Sequence, residues 1–350
     1  MPRVVAVGTA VPPFCSNQQN IREVARQHFQ EKLECTPSLM DVFENVHVDR
    51  RFFCVPREWF GRDHTFSEKN EEFIRWSERL SVEAIERCLE KAGLGPQHVD
   101  HLIFVSTSGM STPSIDARII NRLGFDTHTK RTPIFGLGCA GGASGLTRCN
   151  DLAKGAPEQR VLLVSVELSS LTFQFRDYRK SNLVASALFA DGAAAVLVCG
   201  DACPEDGIHM VDNLSTLWPD TLDLMGWEFT QTGLSVILSP GIPRLLKKHL
   251  KNNIHEFLKR NQLKVKDLSH FVIHPGGAKI LHAFRKSLDL SEGMLEPSRF
   301  VLKNYGNMSS PTLLFILDHI ISERSPQKSD WGLCAAFGPG FSSELILLRW

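Results

Sequence analysis

Neither sign of charge prevails in this chain of 350 residues: lysine plus arginine and aspartate plus glutamate each number 39. That balance excludes the global field that draws a protein to nucleic acid or an anionic membrane, so any anionic ligand must be met by a local patch. Long apolar runs are also missing. The longest, such as "LLFILDHII", carries Asp318 and falls short of the ~20 residues of a spanning helix. The opening "MPRVVAVGTAVPPF" is broken early by prolines and reads as a first strand and turn rather than a signal sequence. A soluble, cytoplasmic protein is predicted, with no transmembrane segment. No CxxC pair occurs among the nine cysteines, which argues against a disulfide framework and against a metal site. Most of the cysteines should be reduced and buried.

What the chain does have is length enough for two domains or a duplicated one. Strand-like runs rich in Val, Ile and Leu ("VVAVG", "HLIFVS", "PIFGL", "RVLLVS", "GAAAVLVCG", "FVIH", "GLCAAF", "ELILLR") alternate with helix-like segments. Continuous runs of this kind fit strands covered on both faces, and the alternation predicts a layered α/β protein. No low-complexity linker divides it. The weakest patterning lies at about 200–232, which places a boundary there and gives halves of 1–205 and 206–350.

The halves echo each other. "LEKAGLGPQHVDHLIFV" from Leu89 matches "LKRNQLKVKDLSHFVIH" from Leu258, and "GLGCAGGASGL" set against "NYGNMSSPTLL" puts Cys139 opposite Asn307. Two helix-then-strand units and two turn-then-helix units recur in order, as in a duplicated fold with a pseudo-twofold axis.

Chemistry centres on "PIFGLGCAGGASGL", residues 133–146. The apolar run should be a buried strand ending near Leu137 and the small residues should open a helix. Cys139 then lies near a helix N-terminus, where the dipole and free N–H groups favour a thiolate. Alone, the stretch reads equally well as packing, since free cysteines are commonly buried. His274 ends a strand in "FVIHPGG", where a histidine is more often a satisfied buried residue, and Asn307 could simply cap a helix. The duplication nevertheless predicts that Cys139, His274 and Asn307 converge between the halves.

"GLGCAGGASGL", "FVIHPGG", "NYGNMSS" and "AAFGPGFSSELILL", in this order, resemble the type III polyketide synthases, the chalcone synthase-like branch of the thiolase superfamily. The resemblance covers nearly the whole chain. It implies a thiolase-like duplicated αβαβα five-layer fold and a homodimer. "TFSEKN", "STSGMSTPSIDARI", "SLTFQ" and "KSNL" are most similar to bacterial members that make alkylpyrones from fatty acyl-CoA. The implied reaction loads an acyl-CoA starter onto Cys139 and extends it by decarboxylative condensation of malonyl-CoA. His274 and Asn307 would hold the malonyl thioester oxygen, and His274 would keep Cys139 as an ion-paired thiolate. No metal or redox cofactor is implied.

The same resemblance assigns Phe189 to one gatekeeper position and Val236 to the other, where plant members carry phenylalanine. The smaller valine would widen the pocket toward an aliphatic starter. Thr107, Glu167 and Thr172 match cavity-lining positions, although they could equally be polar residues satisfied at strand ends. Gly276 and Gly277 would allow close approach of the pantetheine arm, and Phe337, Gly338 and Pro339 match the loop at the cavity floor. Basic residues that hold CoA phosphates in plant members have no counterparts here. Arg50 and Arg51 match a basic pair that either contacts phosphate or merely flanks a strand. The nearest rivals are a ketoacyl-ACP synthase III with a single condensation, a type III synthase with an aromatic starter, and a non-catalytic acyl-CoA binder. The last would lack one of Cys139, His274 and Asn307. Degradative thiolases use a second cysteine and hydroxymethylglutaryl-CoA synthases a glutamate, and neither fits "HPGG" followed by "YGNMSS".

Overall fold

In the computed structural model, which describes residues 1–30 and 37–350, hydrogen bonding joins nine strands into one mixed sheet in the order β11-β12-β13-β8-β1-β7-β6-β4-β5. These strands are β1 (Arg3–Ala10), β4 (His101–Val105), β5 (Lys130–Ile134), β6 (Arg160–Leu168), β7 (Asp191–Cys199), β8 (Ile208–Leu217), β11 (Leu268–Ile273), β12 (Trp331–Gly338) and β13 (Ser342–Arg349). Two small antiparallel ribbons pair β2 (Phe14–Asn17) with β3 (Arg50–Phe53) and β9 (Met225–Thr230) with β10 (Gly233–Leu238). The sheet narrows to two residue pairs at its middle, Arg3 with His209 and Val4 with Ile208. That junction divides it into two walls.

Alternation along the strands sorts side chains into three cores. From the first wall, Leu102, Phe104, Leu162 and Val164 face Leu80, Ala84 and Ile85 of the outer helix Phe66–Ala92. Their neighbours Ile103, Val105, Leu163 and Val196 turn inward, as do Val272, Cys334, Ala336 and Ile346 of the second wall. Between these inward faces lie helices Gly141–Gly155 and Ser310–Glu323, which contribute Leu146, Cys149, Leu313 and Leu317. The outer face of the second wall, Phe271, Leu333, Ala335 and Leu345, packs on helices Ile242–Arg260 and Ala278–Leu288. Helix, wall, helix pair, wall, helix is the five-layer order predicted.

Local chemistry starts and stops the elements. Thr65 and Glu68 form a reciprocal capping box at the start of helix Phe66–Ala92, and Gly93 ends it at a left-handed φ of 66°. The internal echo is structural. A 3-10 turn (Pro96–His98) leads into β4 just as another (Val265–Asp267) leads into β11. The Cys139 turn and Asn307 each precede one of the two central helices.

"PIFGL" departs from expectation. β5 ends at Ile134, pairs only with β4 at the sheet edge and is half-exposed; Phe135, just beyond it, is half-exposed as well. Gly136, at φ 91°, bends the chain out of extended geometry before Leu137 is reached, and Gly138, at φ 47°, bends it again just beyond. Of the cysteines described, only Cys15 is exposed and all are free; Cys35 lies outside the described residues. No helix among the described residues is long and apolar enough to cross a membrane.

The two central helices start in contact, because a Cβ on Gly142 would stand 2.2 Å from the carbonyl oxygen of Ser310. Gly142→Ala is therefore expected to destabilise the protein by about 1–3 kcal/mol. Gly155→Ala, where a Cβ meets nothing within 4 Å, serves as the control. Equal denaturant midpoints for the two variants would show that the helix starts do not press on each other.

Candidate active site

Cys139 lies in a 3-10 turn, Gly138–Ala140, that runs directly into the central helix Gly141–Gly155. Gly138 takes a left-handed φ of 47° to make this turn. Three polar groups beneath it fix its height. The Thr107 hydroxyl accepts from the Gly138 N–H at 3.1 Å. The Thr107 N–H donates to both carboxyl oxygens of Glu167 at 3.1 Å, and the Ser310 hydroxyl donates to Glu167 Oε1 at 3.1 Å. All are buried.

His274 follows β11 and extends its parallel ladder, its N–H donating to the Ala335 carbonyl at 2.9 Å. Asn307 is locked by main-chain bonds to both sides of Phe189: its N–H donates to Leu188 and its carbonyl accepts from Ala190. The Asn307 Oδ1 accepts from the Ser309 N–H at 2.7 Å. Ser309 then turns its hydroxyl onto Cys139 Sγ at 3.4 Å. Cys139, His274 and Asn307 thus open into one cavity of about 710 Å³, reached from both halves of the chain.

Burial at this site works against the resting ion pair expected from sequence. Burial pushes the Cys139 thiol up to about 11; the Ser309 hydroxyl and the Asn307 amide pull it back, while the negative charge of Glu167 adds to the rise. Burial alone lowers His274 to about 3, and neither of its ring nitrogens has a hydrogen-bond partner among the described residues. Desolvation thus pushes both groups toward their neutral forms, against the dipole of the central helix. Glu167 is raised to about 7 by burial, against the pull of its hydrogen bonds from Ser108, Thr107 and Ser310.

The other residues predicted from sequence separate into groups. Phe189, Val236, Gly276, Gly277, Phe337 and Pro339 line the cavity with the catalytic candidates. Thr107 and Glu167 do not; they are the support beneath the cysteine turn, as their hydrogen bonds require. Gly338 also lies behind the wall, where a Cβ would stand 2.5 Å from the Leu137 carbonyl, so its smallness serves the packing of that turn. Thr172 lines a second cavity of about 520 Å³, which meets the first at Ser169, Phe189 and Val236.

Arg51 is not a phosphate contact. It is only 1% exposed, and its guanidinium donates to the carbonyls of Phe189 and Ser186 and to Gln18 Oε1. Burial lowers it to about 9, with Asp191 opposing the shift. Arg50 points to solvent and lines neither cavity. Sequence reasoning missed Ser309, the hydroxyl nearest the sulfur. Its signal was present in "NYGNMSS", two residues beyond Asn307.

A duplicated α/β fold whose halves deliver a buried cysteine, histidine and asparagine to one cavity defines a thiolase-like condensing enzyme. The N-terminal domain family of chalcone and stilbene synthases matches residues 2–202 and the C-terminal domain family matches residues 209–350. The chain belongs to the chalcone and stilbene synthase family of type III polyketide synthases, acyltransferases that condense CoA thioesters with decarboxylation and need no cofactor. A chalcone synthase-like protein of Bacillus subtilis (strain 168) is 41% identical over 99% of this chain and 98% of its own length. The 1,3,6,8-tetrahydroxynaphthalene synthase of Streptomyces peucetius subsp. caesius is 37% identical over 99% and 93%. The crystal structure of the Streptomyces coelicolor A3(2) enzyme of that name superposes with a TM-score of 0.95 at 29% identity, covering 99% of both chains.

Because the Ser309 hydroxyl stabilises a thiolate and an ionised Glu167 opposes one, their removal should act in opposite directions. Ser309→Ala should move the pH midpoint for iodoacetamide alkylation of Cys139 upward, and Glu167→Gln should move it downward. Mass spectrometry of the Cys139 peptide reads both. Shifts of the same sign, or none, would refute these assignments.

Proposed function

We propose that the protein loads a long-chain fatty acyl group from CoA onto Cys139 and extends it repeatedly with malonyl-CoA, releasing alkylpyrones of the tri- or tetraketide class. The observation that carries this reading is the second, largely apolar cavity behind Phe189 and Val236, walled by Ile21, Val24, Phe29, Phe53 and Phe173 among others. A fatty chain attached at Cys139 can run past Val236 into that space. Its volume lies within the usual range of ligand sites, about 300–1,000 Å³.

The proposed chemistry uses a cysteine and a histidine whose burial favours their neutral forms. His274 takes the thiol proton as Cys139 Sγ attacks the starter carbonyl, and the departing CoA thiolate takes that proton back. Malonyl-CoA then loses its carboxylate as carbon dioxide, and the C–C bonding electrons pass into a thioester enolate. The His274 N–H and the Asn307 amide donate to the enolate oxygen from buried positions. The enolate carbon attacks the acyl group on Cys139, and the cysteine leaves as thiolate. Return of the lengthened chain to Cys139 starts the next cycle, until the polyketide closes a ring. A neutral imidazole suits this sequence, since it can accept a proton in one step and donate a hydrogen bond in the next.

Incubated with a long-chain acyl-CoA and malonyl-CoA, the enzyme should give pyrones detectable by mass spectrometry. Cys139→Ala should abolish them, and Val236→Phe should shift the preferred starter to shorter chains. Products of a single extension only, normal condensation by Cys139→Ala, or 1,3,6,8-tetrahydroxynaphthalene formed from malonyl-CoA alone would overturn the reading. An unchanged starter profile in Val236→Phe would remove the second cavity from it.

Homodimerisation is part of the proposal, supported by β5, which is paired on one side only and is followed by the half-exposed Phe135. Sedimentation velocity should give a dimer, and a monomer at micromolar concentration would count against it.

A further inference from the structure

The catalytic cavity changes character from its depth to its rim. Cys139, His274 and Asn307 lie buried at one end, and the exposed lining residues at the other are Ser38, Asp41, Asn45, Lys180, Pro240 and Lys279. Two of these carry positive charge. Lys180 is the first residue of helix Lys180–Leu188, and Lys279 is the second residue of helix Ala278–Leu288. Neither helix has an acidic residue in its first turn or a side-chain cap on its N-terminal N–H groups. Neither lysine pairs with a carboxylate among the described residues. Both ammonium groups are thus held at the opening by helix starts whose own dipoles favour anions.

We propose that Lys180 and Lys279 are the residues that bind the phosphates of the CoA thioesters in this enzyme. The assignment rests on the reading that Cys139 is loaded from CoA thioesters, and it takes over the role that sequence suggested for Arg50 and Arg51. Arg51 is buried against the second cavity, with its two terminal nitrogens committed to main-chain carbonyls and Gln18. Arg50 reaches neither cavity. The path along the wall suits the ligand: from His274 the chain runs through Gly276 and Gly277, where a narrow pantetheine arm can lie against backbone, to Lys279 at the exit. Asp41 faces the same opening and opposes an anion there, so the two lysines outweigh it by one charge.

The test compares a CoA thioester with the matching pantetheine thioester, which reaches Cys139 in the same way but carries no phosphate. Lys180→Glu with Lys279→Glu should raise KM for the CoA thioester by about tenfold or more, the loss expected when charge-assisted contacts are removed. The same double variant should leave KM for the pantetheine thioester where it is. Replacing both lysines by arginine should retain CoA affinity, and Asp41→Asn should tighten it. KM for the CoA thioester should rise with ionic strength in the wild type and lose that dependence in the double variant.

Arg50→Glu is the control that can reverse the assignment: if it weakens CoA use while the lysine variants do not, the proposal is wrong. A rise in KM for both thioesters together in the double variant would equally overturn it, since the effect would then not involve phosphate. Calorimetric binding of CoA itself to the wild type and the double variant separates this proposal from the wider one. Lysine-dependent binding by a protein that makes no pyrone would sustain the rim assignment and sink the catalytic reading. Pyrone synthesis with CoA binding indifferent to both lysines would do the reverse.

Discussion

The contact on which the rest of the structure depends is the meeting of two helix starts at the middle of the molecule. Gly142 lies against the Ser310 carbonyl, so near that a methyl group could not fit. This approach sets the cysteine of one half beside the asparagine of the other, and it lets Ser310 reach down to Glu167 while Ser309 reaches across to the sulfur. The layers on either side hold that contact in place. The inner strands of each wall bury both faces, and the central helices are buried around most of their circumference. The active-site geometry is consequently a property of the whole core rather than of a loop laid on its surface.

Placing a nucleophile so deep has an electrostatic consequence. Desolvation pushes sulfur and imidazole toward their neutral forms, and the buried Glu167, raised to about 7, lies where its charge acts on the sulfur. The carboxyl satisfies the Thr107 N–H, which would otherwise be stranded in the interior, and accepts from the Ser310 hydroxyl. Architecture and reactivity therefore pull in opposite directions at this residue.

Much of the fold was legible in the chain because the signals were local and repeated. Continuous Val, Ile and Leu runs marked strands with two buried faces, and the echo between the Cys139 and Asn307 turns gave the duplication and the convergence of the candidate site. What was not legible depends on direction. Four residues of β3 alternate between solvent and interior, so adjacent Arg50 and Arg51 had to point to opposite faces, and composition does not say which would turn in. Thr107, Glu167, Thr172 and Gly338 lie close to the cavity along the chain. Whether such a residue faces the open space, the support below or a neighbouring cavity is set by the pleat and by partners far away in sequence. The end of β5 was misjudged because Gly136, which looked like part of the strand run, had already bent the chain before Leu137.

The partition between the two cavities has posts of unequal freedom. Phe189 is anchored through its main chain: its carbonyl accepts from Arg51, and the residues on either side of it are hydrogen-bonded to Asn307. Val236 belongs to a peripheral two-stranded ribbon, β9 and β10, that makes no ladder to the main sheet. Room for substrate can therefore be adjusted at the ribbon without disturbing the asparagine, whereas a change at Phe189 is felt at the reacting atoms. On the proposed function, substrate range and catalytic competence are mechanically separable, and the ribbon is where they come apart.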